Sequence, residues 1–338
     1  MEYRTINKQN QSLLKEILKS PQAYLRAQEK YMNEDDTVPA HFVFGNAVDH
    51  FVTEETEFTD KFHIMGNSTV SDTIKKIMDH VFSEVGGTKD LYHNKENFLE
   101  DYPDSIVRAC GYLQYGQSWK EETRIAKVIS TGTNYYRDLI KSKGKTVISQ
   151  EDYAKAVTCH ASMISDSYIK KYLKPGPNQQ LIKKQVIQFE YRTVECKGEL
   201  DLVFIDHDKK TIIPIDVKTI GTNVYSFPYN FWKYRYDFQA AAYSFGLAYQ
   251  FEDLIKQGYH ILSFKFIVCE KDSYNKPLIY TVKDDILNIG MNGGSNSDGK
   301  TYEGFEQAIE RYLFHTQKDL WDYPMEYYEN DGELIIDL

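Results

Sequence analysis

The sequence is short of several features that would each mark a protein class. It has no uninterrupted apolar run of about 18 residues, the length that a transmembrane helix needs, so no membrane span is expected. Its start, Met1-Glu2-Tyr3-Arg4, lacks the basic and apolar regions of a signal peptide, which makes the cytoplasm the expected location. Cysteine is scarce. Cys110, Cys159, Cys196 and Cys269 are scattered singly with no C-x-x-C pair, which argues against zinc and for reduced, buried thiols. The glycine-rich run from Asn292 to Gly299 is not followed by Gly-Lys-Ser/Thr, so it reads as a loop rather than a phosphate cradle. No repeat of fixed period is present. A basic excess is also missing: the net charge is −10, which by itself argues against a nucleic-acid ligand. That charge is uneven, however. Asp319 to Leu338 carries seven acids and no Lys or Arg, so the rest of the chain is close to balance. A local basic track remains available from Lys170, Lys171, Lys174, Lys183 and Lys184, and from Lys233 and Arg235. An ordinary solvated surface would use the same lysines.

What the chain does have is apolar material for a sizeable core, 41% of its residues, with 27 Tyr and 18 Phe. Residues 8–31 read as helix, with Leu13, Leu14, Ile17 and Leu18 at helical spacing and a break at Ser20-Pro21. Residues 41–55 form a second helix. Residues 66–180 are polar and mostly helical in pattern, with breaks at Gly86-Gly87, Pro103 and Gly132. Amphipathic helices are expected around Ile106–Tyr115 and Tyr135–Ile140, and a third is capped by Ser149. This arm interleaves Tyr, Trp119, Lys and Arg, which would suit DNA contact, although plain helix packing accounts for the pattern more simply. Strands are expected over 185–191, 194–205, 211–219, 260–269 and 278–282, and helices over 237–250 and 301–316. The aromatics Tyr229, Phe231, Trp232, Tyr234 and Tyr236 can stack on bases or build core.

The informative stretch runs from Gly198 to Thr219. Two β-branched runs flank Asp206-His207-Asp208-Lys209-Lys210, which is a hairpin signal. A turn centred on Asp208-Lys209 sets Asp201 opposite Asp216 and Glu199 opposite Lys218. Asp216 and Lys218, two apart, leave the same face of their strand. Facing carboxylates destabilise a strand pair unless they are paired, protonated or bound to a cation. A hard divalent ion suits two such acids, and a lysine beside it can hold a water or a developing negative charge. A surface hairpin in which Lys218 neutralises two solvated acids is the alternative.

Asp201 followed about fifteen residues later by Asp216-Val217-Lys218 resembles the signature of the PD-(D/E)xK nucleases. Gly198-Glu199-Leu200-Asp201 resembles the G-x-x-D form of the RecB, RecE and lambda-exonuclease branch. Gln239-Ala240-Ala241-Ala242-Tyr243 resembles its Q-x-x-x-Y motif, whose Gln and Tyr share one helix face. The family's G-x-x-x-H helix is matched less well. Counting from Gly45, the ligand position falls on Asp49, and His50 comes one residue late, about 100° round the helix. Asp49 is the favoured ligand. Gln185 or Glu190 stands where relatives carry an additional Glu on the earlier strand.

The resemblance implies an α/β fold with a PD-(D/E)xK core, a central mixed sheet and an N-terminal helical region. Residues 1–180 would be the helical region packed on and contributing to the core, 181–316 the nuclease core and 317–338 an acidic tail. It further implies a metal-dependent DNA nuclease, of exonuclease type, in phage-type recombination. Asp201, Asp216, the Val217 carbonyl and Asp49 would bind Mg²⁺ or Mn²⁺, Lys218 would act on the attacking water or the transition state, and Gln239 and Tyr243 would position the strand. No iron–sulfur cluster is expected, since nothing after Cys269 supplies the required cysteine group. DNA, a single-strand annealing protein and a homo-oligomeric ring are the implied partners. The alternative is a catalytically silent DNA-binding or assembly protein with the same fold. Cleavage polarity, strand preference and exo- versus endonuclease action are open.

Overall fold

Three consecutive strands, Gln179–Tyr191, Val194–Asp206 and Thr211–Ile220, form the antiparallel meander at the heart of the computed structural model. The structure describes residues 3–33, 40–66, 70–85 and 98–336, so the expected Gly86-Gly87 break lies outside the described residues. The chain divides into two units. One comprises residues 1–35, 48–55 and 155–338, and the other residues 36–47 and 56–154. The first 180 residues are thus shared between the two units.

The larger unit holds a seven-stranded mixed sheet. Thr211–Ile220 lies between Val194–Asp206, antiparallel, and Lys265–Glu270, parallel. Leu278–Thr281 closes one side antiparallel, and Gln9–Asn10 adds to Val194–Asp206 in parallel. A parallel neighbour needs a crossover. The helices Phe227–Lys233, Tyr236–Gln250 and Glu252–Lys256 supply it. The expected α/β class and mixed sheet are therefore present. The 260–269 strand is not continuous: His260–Ile261 pairs with Thr211 and Ile212, and a fresh ladder starts at Lys265 opposite Ile215. Pro214, which has no N–H to donate to a neighbouring strand, sits opposite the gap.

Core side chains meet between the sheet and the Tyr236–Gln250 helix, where Ile187, Leu200, Val203 and Ile212 pack with Phe238, Ala242 and Leu247. Helix Asp284–Asn292, which lacks a clear sequence signal, crosses that helix at Gly290. A Cβ on Gly290 would lie 2.2 Å from the Asp237 carbonyl oxygen, so only glycine allows this approach. The expected final helix is Phe305–Lys318. The acidic segment after it folds back rather than trailing free: Trp321 stacks on Tyr24, Gln22 donates to the Trp321 carbonyl, and Glu326 pairs with Arg311. The expected loop from Asn292 to Gly299 is partly a small hairpin, Gly294–Ser295 against Thr301–Tyr302.

The smaller unit is helical. Asp72–Val85, Pro103–Tyr112 and Glu121–Ser142 enclose Ile77, Met78, Val81, Ile106, Ala109, Cys110 and Val128. A two-stranded parallel ribbon joins Phe62–Met65 to Thr146–Ser149. The Ser149 hydroxyl accepts the Asp152 N–H at 3.0 Å, the cap expected from the sequence. Among the described residues, no helix is long and apolar enough to cross a membrane.

Candidate active site

The hairpin takes the expected register, with Leu202 opposite Ile215 through Asp206 opposite Thr211. The backbone ladder stops one step before Asp201 and Asp216. There the Asp201 carboxylate replaces the strand and accepts the Val217 N–H at 2.8 Å. This parting of the strands opens a mouth in which Asp201, Asp216 and Lys218 share one face. The Val217 carbonyl leaves on the same side as its N–H, toward Asp201.

Asp216 is 3% exposed. One of its oxygens accepts the Gln239 amide at 2.7 Å, and the other lies 2.6 Å from the Lys218 ammonium. Burial pushes its carboxyl up to about 7, against the pull of Lys218 and with the aid of Asp201. Burial also works against the Lys218 ammonium, but Asp216 and Asp201 outweigh it and hold the lysine above its ordinary value. The Tyr236 ring lies 5.0 Å beneath that ammonium and adds to its stabilisation.

Asp49 reaches the same cluster from helix Ala40–Thr53. Burial, then Asp201, pushes its carboxyl up to about 6. Its Oδ1 is buried and accepts no hydrogen bond among the described residues. His50, one residue on, is buried with Nδ1 3.3 Å from Glu54. Of the two candidates for the ligand position, Asp49 is the one beside Asp201.

Two further groups stand in the cluster. Lys184 Nζ lies 2.5 Å from Asp49 Oδ2, 3.3 Å from Asp201 Oδ1 and 4.0 Å from Glu199 Oε1. It therefore faces inward and does not join the basic track expected of it. Glu199, expected opposite Lys218, lies two residues before Asp201 on the same strand face, and the structure sets it near Lys184. Lys184 could not have been found from strand periodicity, because its place depends on the turn between Tyr191 and Val194. That turn is built by Arg192 and Thr193 with φ of 46° and 69°, without the Asn-Gly pair such turns favour. Gln185 and Glu190 do not reach the cluster: the Gln185 amide donates to the Val186 carbonyl, and Glu190 is exposed beside Glu195.

Gln239 and Tyr243 share a helix face as expected, but that face is turned into the protein. Tyr243 lies against Gly198, where a Cβ would come within 2.7 Å of its ring, and its hydroxyl meets the Glu199 backbone. The glycine of G-x-x-D and the tyrosine of Q-x-x-x-Y are thus packing partners. Neither Gln239 nor Tyr243 is presented to a strand in solution.

The donor set is one of hard oxygens: Asp49, Asp201, Asp216 and the Val217 carbonyl, with an orphaned carboxylate oxygen among them. That chemistry fits Mg²⁺ or Mn²⁺ and does not favour a soft metal. Among the described residues no three His, Cys, Asp or Glu side chains yet close on one point, and the Lys184 ammonium stands between Asp49 and Asp201. The four cysteines are buried free thiols.

A cleft of 510 Å³ in the same unit is lined by Lys15, Lys19, Lys233, Tyr234, Arg235 and Tyr302, among others. Burial pulls the Lys15 ammonium below its ordinary value, against Glu16 and with help from Lys19, Arg235 and Lys218. Arg235 is partly committed, forking onto the buried Asp237 carboxylate at 3.0 Å. Lys233 hangs over the exposed rings of Tyr229 and Tyr234.

Among curated proteins none matches this sequence. A crystal structure from Eubacterium rectale, described as a "putative exonuclease", is similar at 13% identity over 82% of this chain and 90% of that one. Its TM-score is 0.34, too low to carry an argument. A family model described as "PDDEXK-like domain of unknown function (DUF3799)" matches residues 10–297, which takes in the hairpin, its acids and lysine, the Asp49 helix and the Gln239–Tyr243 helix. The chain belongs to this PDDEXK-like family.

Proposed function

We propose that this chain is a divalent-metal-dependent deoxyribonuclease that hydrolyses phosphodiester bonds. The observation that carries the reading is Asp216: a buried carboxylate, 2.6 Å from Lys218 and held by Gln239, beside Asp201 and Asp49. Buried acids with raised pKa values in one cluster mark a site built for something other than stability. A divalent ion held by Asp49, Asp201, Asp216 and the Val217 carbonyl would supply Lewis acidity and lower the pKa of water. Gln239 fixes the rotamer of Asp216, and Tyr243 fixes the strand that carries Glu199 and Asp201. Lys218 places a compact positive charge where a scissile phosphate gains negative charge, and donates to a non-bridging oxygen or the attacking water. The cleft of Lys15, Lys19 and Lys233 draws the phosphate backbone toward Lys218, and Tyr229 and Tyr234 offer rings for bases.

We infer further that the action is exonucleolytic and belongs to phage-type recombination, next to a single-strand annealing protein and in a ring of several copies. The resemblance to the RecB, RecE and lambda-exonuclease branch supports this. The reading of a silent DNA-binding protein is favoured by one observation, the Lys184 ammonium among the acids where an ion would sit.

End-labelled linear duplex and closed circular DNA, each with Mg²⁺ or a chelator, test these readings. Metal-dependent loss of label from the linear duplex alone is expected, and it should vanish in Lys218→Ala, which keeps its fold. Full activity in that variant would exclude Lys218 from the chemistry. No cleavage of any DNA by the natural chain would favour the silent reading.

A further inference from the structure

Lys184 is built into its position. It has a left-handed backbone, φ 49°, in the middle of a long strand, where a residue with a side chain rarely goes. The ladder between its strand and Val194–Asp206 pairs Lys183 with Leu202 and Gln185 with Leu200, and skips the step at which Lys184 faces Asp201. Such local strain persists where the surroundings over-determine it, and it gathers at functional sites. Here it delivers an ammonium group within 2.5 Å of Asp49 and 3.3 Å of Asp201. Lys218 is already the partner of Asp216, so the second lysine is not needed there.

We infer that Lys184 is a tethered counter-cation: it fills the seat between Asp49 and Asp201 while no divalent ion is bound and must swing out when one enters. This rests on the metal-dependent reading above. The physical basis is competition. Asp49, Glu199 and Asp201 crowd together, and crowded carboxylates repel unless a positive charge lies between them. A lysine on a flexible four-carbon stem can hold them in place and then leave, which a rigid guanidinium fork or a fixed backbone dipole does less readily. The side chain is about a quarter exposed, 27%, so it has a route to solvent. The seat itself is part of the acid cluster, since Asp49 Oδ1 still accepts no hydrogen bond among the described residues. Lys184 is on this account a positioning residue that opposes metal binding, and its displaced ammonium becomes available to a phosphate only after loading.

The test is Mn²⁺ binding to the full chain without DNA, followed by loss of the free-Mn²⁺ electron paramagnetic resonance signal. Lys184→Met keeps the length of the stem and removes the charge. Binding about tenfold tighter than in the natural chain is expected, with Lys184→Arg close to the natural value. Should Lys184→Met fold poorly without metal, Lys184→Gln supplies the same comparison with a polar head. The heat stability of either neutral variant should gain more from Mn²⁺ than that of the natural chain. Equal or weaker Mn²⁺ binding in folded neutral variants would overturn the proposal and leave the metal site standing. Absence of Mn²⁺ binding in every variant and in the natural chain would overturn the metal reading itself. Asp201→Asn in the Lys184→Met background should abolish the gain, and its survival would place the ion elsewhere and overturn the assignment.

Discussion

The two units treat charge differently. In the helical unit the core is apolar, and an ion pair such as Glu84–Arg108 stands half in solvent. Ser105 and Arg108 hold the Glu84 carboxyl below its ordinary value. In the sheet unit, Lys197, Asp206, Asp216, Asp237 and Glu270 are all buried. Most of them are fully answered. Lys197 donates to the carbonyls of Tyr3 and Ile6 and to the Tyr31 hydroxyl. Glu270 accepts from Val224 and Asn275, and those bonds outweigh its burial and pull it down. The Lys209 N–H and ammonium hold Asp206 down at about 2. Asp216 and Asp49 move the other way, up to about 7 and 6, because burial outweighs their partners. Burial alone does not mark the site. Burial with too few hydrogen bonds does.

This contrast can be broken in four ways. If the upward-shifted acids are the working ones, Asp216→Asn or Lys218→Ala should lower DNA cleavage by roughly 10²–10³-fold. Asp206→Asn should leave cleavage within about twofold while lowering the melting temperature, because the Lys209 N–H and ammonium lose their carboxylate. A gel assay beside a thermal melt reads both effects.

The packing of the two units can be compared through glycine. Gly290→Ala forces a Cβ onto the Asp237 carbonyl and should destabilise the sheet unit by about 3 kcal/mol. Gly111→Ala, on an open helix face of the other unit with nothing within 4 Å, should gain ~0.5–1 kcal/mol. Denaturant melts in which both changes have the same sign would contradict the packing described.

Gln239→Leu should weaken Mn²⁺ binding by ~10–100-fold, because Asp216 loses the amide that orients it. An unchanged titration would remove Gln239 from the site.

The last comparison is in pH. Asp216 keeps a proton in the folded chain that the unfolded chain releases near the ordinary carboxyl value of 3.8. The metal-free protein should therefore lose stability as pH rises from about 4 to about 7, by at most ~1.4 kcal/mol per unit of pH from this group. Bound protons also compete with the ion, so Mn²⁺ affinity should rise over the same interval. Asp206 acts oppositely: its contribution is present above 3.8 and is lost as pH falls through about 2. A melt series with chelator, natural chain against Asp216→Asn, should show a shallower fall in the variant, the remainder coming from Asp49, which is also pushed up.

Much of the candidate site was legible in short stretches. The register of the hairpin followed from a turn centred on Asp208-Lys209 between two β-branched runs, and the shared face of Gln239 and Tyr243 followed from helical spacing. The direction of that face was not legible, because Ala240, Ala241 and Ala242 pattern neither side strongly and both sides are buried. The 260–269 strand read as continuous because the break is imposed by Pro214 on its neighbour. Helix Asp284–Asn292 was missed because Gly290, a poor helix former, is there for a crossing that only the packed structure shows. Lys184 looked like one more surface lysine.

The sequence by itself determined which side chains share a strand face or a helix face, since periods of two and of 3.6 residues are properties of the backbone alone. Tertiary structure decided the rest: that Asp49 and not His50 meets the acids, that Lys184 turns inward, and that Asp216 is buried deeply enough to keep a proton near neutral pH. Those outcomes depend on which distant segments pack over the hairpin mouth, and solvent exclusion is set by all of them together.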